Sequence, residues 1–210
     1  ELFDSLKNSR FAIVTALYFL VIVAFSIMTT AFVQYTAFRF GYTAEQNGYL
    51  FAFVGVLAVL LQGGIFGRLA KKFGEKNLVV VGCILLTISF FAVPFVGPVS
   101  GGLAALLVGT ALFSVGNSLS SPALTSLASK EARDEAQGKT LGLMQSAASL
   151  ARAIGPALSA VLLYSAYAPN SIDDASVFRT FWTAAAIMAA ALILALYFTR
   201  MKPEENQQFK

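Results

Sequence analysis

The chain has 210 residues, is 57% hydrophobic and only 12% charged, and has a mean hydropathy of +0.72 with a net charge of +4. Soluble domains carry about 25% charged residues, so this composition belongs in a bilayer. The lack of histidine excludes histidine metal sites and histidine proton relays, and the single Cys83 excludes an internal disulfide. The basic residues gather in particular loops, which is not a nucleic-acid signature.

No cleavable signal peptide is evident, because the first apolar run is too long and lacks a small-residue cleavage site. The sequence begins at Glu1 rather than methionine, as expected of a fragment or a processed product. Residues 1–10 form a polar, interfacial lead-in. No charge follows from Phe11 to Phe38, which predicts a first membrane helix over 11–38 with Ser26, Thr30 and Gln34 recurring every four residues on one face. After a short loop, Thr43-Ala44-Glu45-Gln46 has the form of a capping box and opens a second helix over 44–70. That helix carries Gln62 and the small pair Gly63 and Gly67, a spacing that lets another helix approach closely.

A basic turn, Gly67-Arg68-Leu69-Ala70-Lys71-Lys72-Phe73-Gly74-Glu75-Lys76, closes the second helix, with cations near its C-terminus and Gly74 at the stop. From Asn77 to Ser129 there is no charge, and the cluster from Pro94 to Gly102 divides this stretch into helices over 78–95 and 101–128. The third is almost without polar groups and should face lipid. The fourth carries Thr110, Ser114, Asn117, Ser118, Ser120 and Ser121.

The fifth helix, over 139–167, is the most informative. Apart from Lys139 near its start, Arg152 is its one charge, and Gln145, Ser149, Pro156 and Ser159 share its face. About 20 apolar residues span a bilayer, so Arg152 falls near mid-depth, at a cost of at least about 2.5–3.5 kcal/mol. Such a group faces a bundle interior or an aqueous cavity, and is a functional candidate by default; the plainer alternative is an arginine held by carbonyls for packing alone. Gly155 and Pro156 mark a kink, where proline removes a backbone donor. The sixth helix, over 177–199, is apolar with Trp182 as an interfacial anchor, and 200–210 is a polar tail expected to be disordered.

Six spans put both termini on one side. Twelve basic residues lie in the loops and ends of that side and two, Arg39 and Arg179, on the other, so the termini are expected in the cytoplasm. Gly138-Lys139-Thr140 looks like the end of a nucleotide-binding loop, but Arg133 stands where the first glycine is needed and no strand precedes it. Glu131, Asp134 and Glu135 could pair with Arg68 or Lys72 as a cytoplasmic latch or remain a solvated loop; exposed pairs contribute about 0–1 kcal/mol. Gln34, Gln62, Asn117 and Gln145 are candidate solute contacts, although such amides also bond helix to helix for about 0.6 kcal/mol each.

The basic turn resembles the loop signature of the major facilitator superfamily, Gly-x-Leu-Ala-Asp-Arg-x-Gly-Arg-Lys, in the form typical of the carboxyl half. Lys71 stands where the signature has aspartate, and Glu75 where it has a basic residue. Ala151-Arg152-Ala153-Ile154-Gly155-Pro156 resembles the Gly-Pro region of the fifth helix in drug:proton antiporter halves, and is most similar to the tetracycline-transporter-like, organic-anion subgroup.

The resemblance implies an all-α half-domain of six transmembrane helices built as a three-plus-three inverted repeat. It implies a solute site at Arg152, Gln34, Asn117, Gln145, Ser149 and Thr30. It also implies a gating loop motif at Gly67, Arg68, Lys71, Lys72 and Gly74, to which the charge of the following loop adds Glu135 as a latch candidate. The expected function is one half of a secondary transporter in a bacterial inner membrane, with no cofactor, moving a small organic solute. Its partners would be lipid and an amino-terminal six-helix half or a second copy. A non-transporting membrane scaffold is the alternative from a different class. An enzyme is the least expected, since no carboxylate lies inside the spans.

Overall fold

A computed structural model describes residues 9–131, 137–164 and 171–201. The expectations for the lead-in before Ser9, for Asp134 and Glu135, for the fifth helix beyond Tyr164 and for the tail beyond Met201 lie outside these residues. Among the described residues the chain is helical, with six helices long and apolar enough to cross a membrane. They are α1 (Ser9–Phe40), α2 (Ala44–Phe73), α3 (Glu75–Phe95), α4 (Gly102–Glu131), α5 (Gln137–Leu163) and α6 (Asp174–Arg200).

The chain's own caps set several of the ends. Thr43 accepts from the Gln46 amide and the Gln46 side chain accepts from the Thr43 amide, the reciprocal pairing that the sequence pattern predicts. Asp173 and Ser176 do the same for α6, so this helix starts three residues before the apolar run at Val177. Gly74 ends α2 at φ +78°, a conformation that disfavours a side chain, while its amide still bonds to the Ala70 carbonyl. In the middle of α2 the ladder widens to a π-turn over Leu61–Ile65, where the Phe66 amide reaches the Leu61 carbonyl.

α1 is the axis of the bundle. It packs on α5 and α6 and touches α4, and more than half of its residues are buried. α3 packs along α4 and also against α6. Small residues permit the closest crossings. A Cβ on Gly82 of α3 would stand 2.7 Å from the Gly116 carbonyl of α4, and one on Gly155 of α5 would overlap Ser26 of α1. The Ser89 hydroxyl adds a bond from α3 to the Gly109 carbonyl of α4. α3 turns Val81, Ile84, Ile88, Phe91 and Phe95 outward at helical spacing, an apolar stripe suited to lipid.

Polar clasps tie the two ends. Where α1 finishes, the Tyr35 hydroxyl lies 3.0 and 2.5 Å from the carbonyls of Val93 and Val96, and Arg39 reaches the Pro94 carbonyl at 3.3 Å and Asp174 at 3.1 Å. Where α1 starts, Arg10 pairs with Glu131 at 2.8 Å, and Lys130 pairs with Glu75. Glu131 thus binds Arg10, not the expected Arg68 or Lys72. The reason is geometric: both ends of the Arg10–Glu131 pair are shielded, whereas Arg68 and Lys72 project from an exposed turn.

Candidate functional site

Two helices leave a long face uncovered by this packing. α2 leans on α4 along one edge only, through Ser114 to the Val54 carbonyl at 2.9 Å and Gln62 to Ser118 at 3.3 Å. Only Asn47 and Leu50 of its 30 residues are buried, and Val59 is 72% exposed. Its glycines at 48, 55, 63, 64 and 67 have nothing within 4 Å of a would-be Cβ. α5 is buried along the line Met144, Ala148, Ala151, Gly155 and Ser159, and open on the other side, where Val161 is 76% exposed.

The predicted site residues of α5 lie on that open side. Gln145, Ser149, Arg152 and Pro156 are all exposed, while Ser159 is buried with its hydroxyl unpaired. Among the described residues Arg152 has neither a hydrogen-bond acceptor nor a carboxylate partner. Pro156 sits inside a helix that continues on both sides of it, and Gly155 is held by its contact with α1. On α1, Thr30 and Gln34 are exposed and Ser26 is buried under Gly155, so the four-residue polar recurrence splits between a packing contact and an open face.

Depth separates these groups. α1 and α5 run in the same direction and cross at Ser26 and Gly155. At about 1.5 Å per residue, Arg152 lies about 5 Å on one side of the crossing and Thr30 about 6 Å on the other, with Gln34 another turn beyond. Gln145 falls about 10 Å from Arg152 in the opposite direction. Asn117, half-buried, is at the middle of α4, and Gln62 is near the middle of α2. Measured from the helix midpoints, Arg152, Ser149, Asn117 and Gln62 share the mid-depth layer, Thr30 and Gln145 lie a turn or more outside it, and Gln34 lies farther still. The loop residues Gly67, Arg68, Lys71, Lys72 and Gly74 form the end of α2 at the Arg10 end of the bundle, far from that layer.

Sequence reasoning missed two features here. Phe25 of α1 stacks on Phe113 of α4 at 5.3 Å, one residue before Ser26 and one turn before Asn117, so an aromatic pair joins the two helices close to the mid-depth layer. Isolated phenylalanines in apolar runs give no signal of this. The π-turn at Gln62 is the second, and its Gly63-Gly64 pair was the available clue.

This layout of two helices with open faces on one bundle accompanies a match of residues 14–210 to the sequence profile of the Major Facilitator Superfamily. The chain belongs to that superfamily. It is 30% identical over 187 residues to the class H tetracycline resistance protein of Pasteurella multocida, covering 89% of this chain and 44% of that one. It is 31% identical over 137 residues to multidrug resistance protein 2 of Bacillus subtilis, covering 65% of this chain and 33% of the relative. Its fold matches the crystal structure of the human organic anion transporter MFSD10 (TETRAN) with a TM-score of 0.76 at 22% identity, over 89% of this chain and 41% of that one. The chain therefore spans less than half the length of these proteins. It is a multi-pass membrane protein with the six-helix architecture of this superfamily.

Proposed function

We propose that this chain is one half of a secondary transporter that moves a small organic, anionic or drug-like solute by alternating access, with Arg152 as the anchor for the solute's negative charge. The observation that carries the reading is an arginine at mid-depth, exposed on the open side of α5 and without a partner among the described residues. A guanidinium in that position is stable when it faces an aqueous cavity and an anion, and not when it faces lipid. Superfamily membership and the tetracycline, multidrug and organic-anion names of the relatives support the solute class.

The open faces of α2 and α5 would then meet a companion six-helix half, by the close approach that their small residues allow. That half is an amino-terminal six-helix unit, with a second copy of this chain as the other candidate. The cycle is read as proton-coupled antiport. The spans here offer no histidine, and no carboxylate away from the helix ends, so the titrating residue belongs to the companion half. The basic ends at Arg68, Lys71, Lys72 and Lys76 support termini on the cytoplasmic side, and the membrane is read as a bacterial inner membrane.

The deciding experiment is solute transport by the complete two-half protein carrying Arg152→Ala or Arg152→Lys. Arg152→Ala should abolish transport at unchanged folded yield, and Arg152→Lys should restore part of it, because lysine keeps the charge but not the planar fork. Wild-type transport by Arg152→Ala would sink the assignment.

A further inference from the structure

At the end of the bundle where α1 starts and α6 finishes lies a cleft of about 440 Å³. Arg10, Lys76 and Lys130 line it against Glu75 and Glu131. Two of the three cations are matched within it, Lys130 to Glu75 and Arg10 to Glu131. Lys76 is not: among the described residues no carboxylate lies within ion-pair distance of it. Its ammonium stands 4.9 Å over the ring of Phe198, and the Arg10 guanidinium stands 5.2 Å from the same ring. The two cations are thus about 10 Å apart at most. Cation–ring attraction holds each of them in place but leaves their mutual repulsion, and among the described lining residues three cations stand against two carboxylates. A singly charged anion seated beside Lys76 offsets both the repulsion and this imbalance.

The position of the cleft narrows the anion. It is an open cleft lined by the ends of α1, α2, α3, α4 and α6, the level at which a bilayer presents its headgroups. The outward faces of the two helices that hold Lys76 and Phe198 are apolar, with Val81, Ile84 and Ile88 exposed on α3 and Ile193 and Tyr197 on α6. Basic pockets between spans on the cytoplasmic side suit anionic headgroups. Resting on the orientation proposed above, we infer that this cleft is a binding site for the phosphodiester of an anionic phospholipid, with Lys76 as its principal contact and the acyl chains lying along α3 and α6. Free phosphate shares the headgroup chemistry but has nothing to lay on that apolar face.

The test is lipid retention by the full chain in detergent, read by native mass spectrometry, with phosphatidylglycerol and phosphatidylcholine supplied at equal concentration. The wild type should retain phosphatidylglycerol in preference by about tenfold. Lys76→Gln should lose the preference, Lys76→Arg should keep it, and Lys139→Gln, away from the cleft, should also keep it. Equal retention of the two lipids by the wild type, or an unchanged preference in Lys76→Gln, overturns the site. If Lys76→Gln fails to fold, the wild-type preference and its loss at high salt still decide. Displacement of the lipid by millimolar inorganic phosphate would overturn the lipid assignment in favour of a free anion. Labelling of a cysteine at position 72 from the cytoplasmic side, with no lipid preference, would sink this inference alone and leave the transport reading standing.

Discussion

Gly155 of α5 and Ser26 of α1 meet with no room for a side chain between them: a Cβ on the glycine would overlap that of the serine and come within 3.1 Å of its backbone. Backbone atoms cannot step aside as a flexible side chain can. Gly155→Ala should therefore push α5 off α1 and cost about 1–3 kcal/mol, as overpacking of a tight core does. Ala153→Gly, two residues away on the exposed side, is the matched control and should cost no more than the helix propensity of glycine, about 1 kcal/mol. Thermal unfolding in detergent compares the two, and equal midpoints for Gly155→Ala and wild type would refute the crossing.

Arg10 is 5% exposed and bonds to Glu131 through both Nε and Nη2. Glu131→Gln keeps the shape but removes the charge that this buried guanidinium faces. The expected loss is about 1.5–3 kcal/mol, the range for a hydrogen bond to a charged group. Lys130→Gln, which breaks the more exposed pair with Glu75, should cost about 0–1 kcal/mol. Chemical denaturation of the two variants should rank them in this order.

Orientation is testable by cysteine labelling in intact cells. A cysteine at Lys72, on the exposed end of α2, should react with an impermeant reagent only after the membrane is opened. One at Glu45, exposed at the other end of the same helix, should react without opening. Asp173 is a poor choice for the outer probe because its carboxylate caps α6. The reverse labelling pattern would invert the topology.

Much of this architecture is legible in the sequence because membrane helices announce themselves through runs free of charge. Phe11–Phe38 and Asn77–Ser129 define their spans with little else needed, and the Thr43 capping box is a local pattern with a local cause. Relations between distant residues are not legible in this way. Arg10 and Glu131 are separated by 121 positions, and nothing near either predicts the pair. The periodicity that groups Ser26 with Thr30 and Gln34 fixes a helix face but not what covers it, and α5 covers only the first of them. The π-turn of α2 escapes for a related reason. An extra residue in a helical turn shifts the face by less than one position, and a run as uniformly apolar as Ala44–Leu60 gives no period to shift.

That π-turn supplies a further prediction. Gly63 and Gly64 have open space around them and no positive φ, so neither the fold nor the backbone of this chain requires glycine there. A close-packed companion helix would require it. Gly63→Leu should leave the unfolding free energy of the 210-residue chain within about 0.5 kcal/mol of wild type, as for surface changes in general. The same change should reduce co-purification of a tagged companion half several-fold. Normal co-purification would show that the companion does not approach α2 at the π-turn.

The last prediction concerns what this chain can do alone. Thr30 and Gln34 on α1 and Gln145, Ser149 and Arg152 on α5 are exposed polar groups within membrane spans. Facing hydrocarbon, each such group without a partner costs several kcal/mol. A facing half would enclose them in an aqueous cavity and supply the second wall against which this half rocks. A second copy of this chain could cover the same face, but it would set two Arg152 side chains about one axis and need bound anions to offset their repulsion. Liposomes containing the 210-residue chain should therefore show no uptake of an organic anion above the protein-free background. Co-reconstitution with an amino-terminal six-helix half should restore uptake, and Arg152→Ala in this half should remove it again. Robust uptake by the 210-residue chain alone would instead establish a self-assembling pair, and Arg152→Ala would then have to abolish that uptake for the arginine to keep its role.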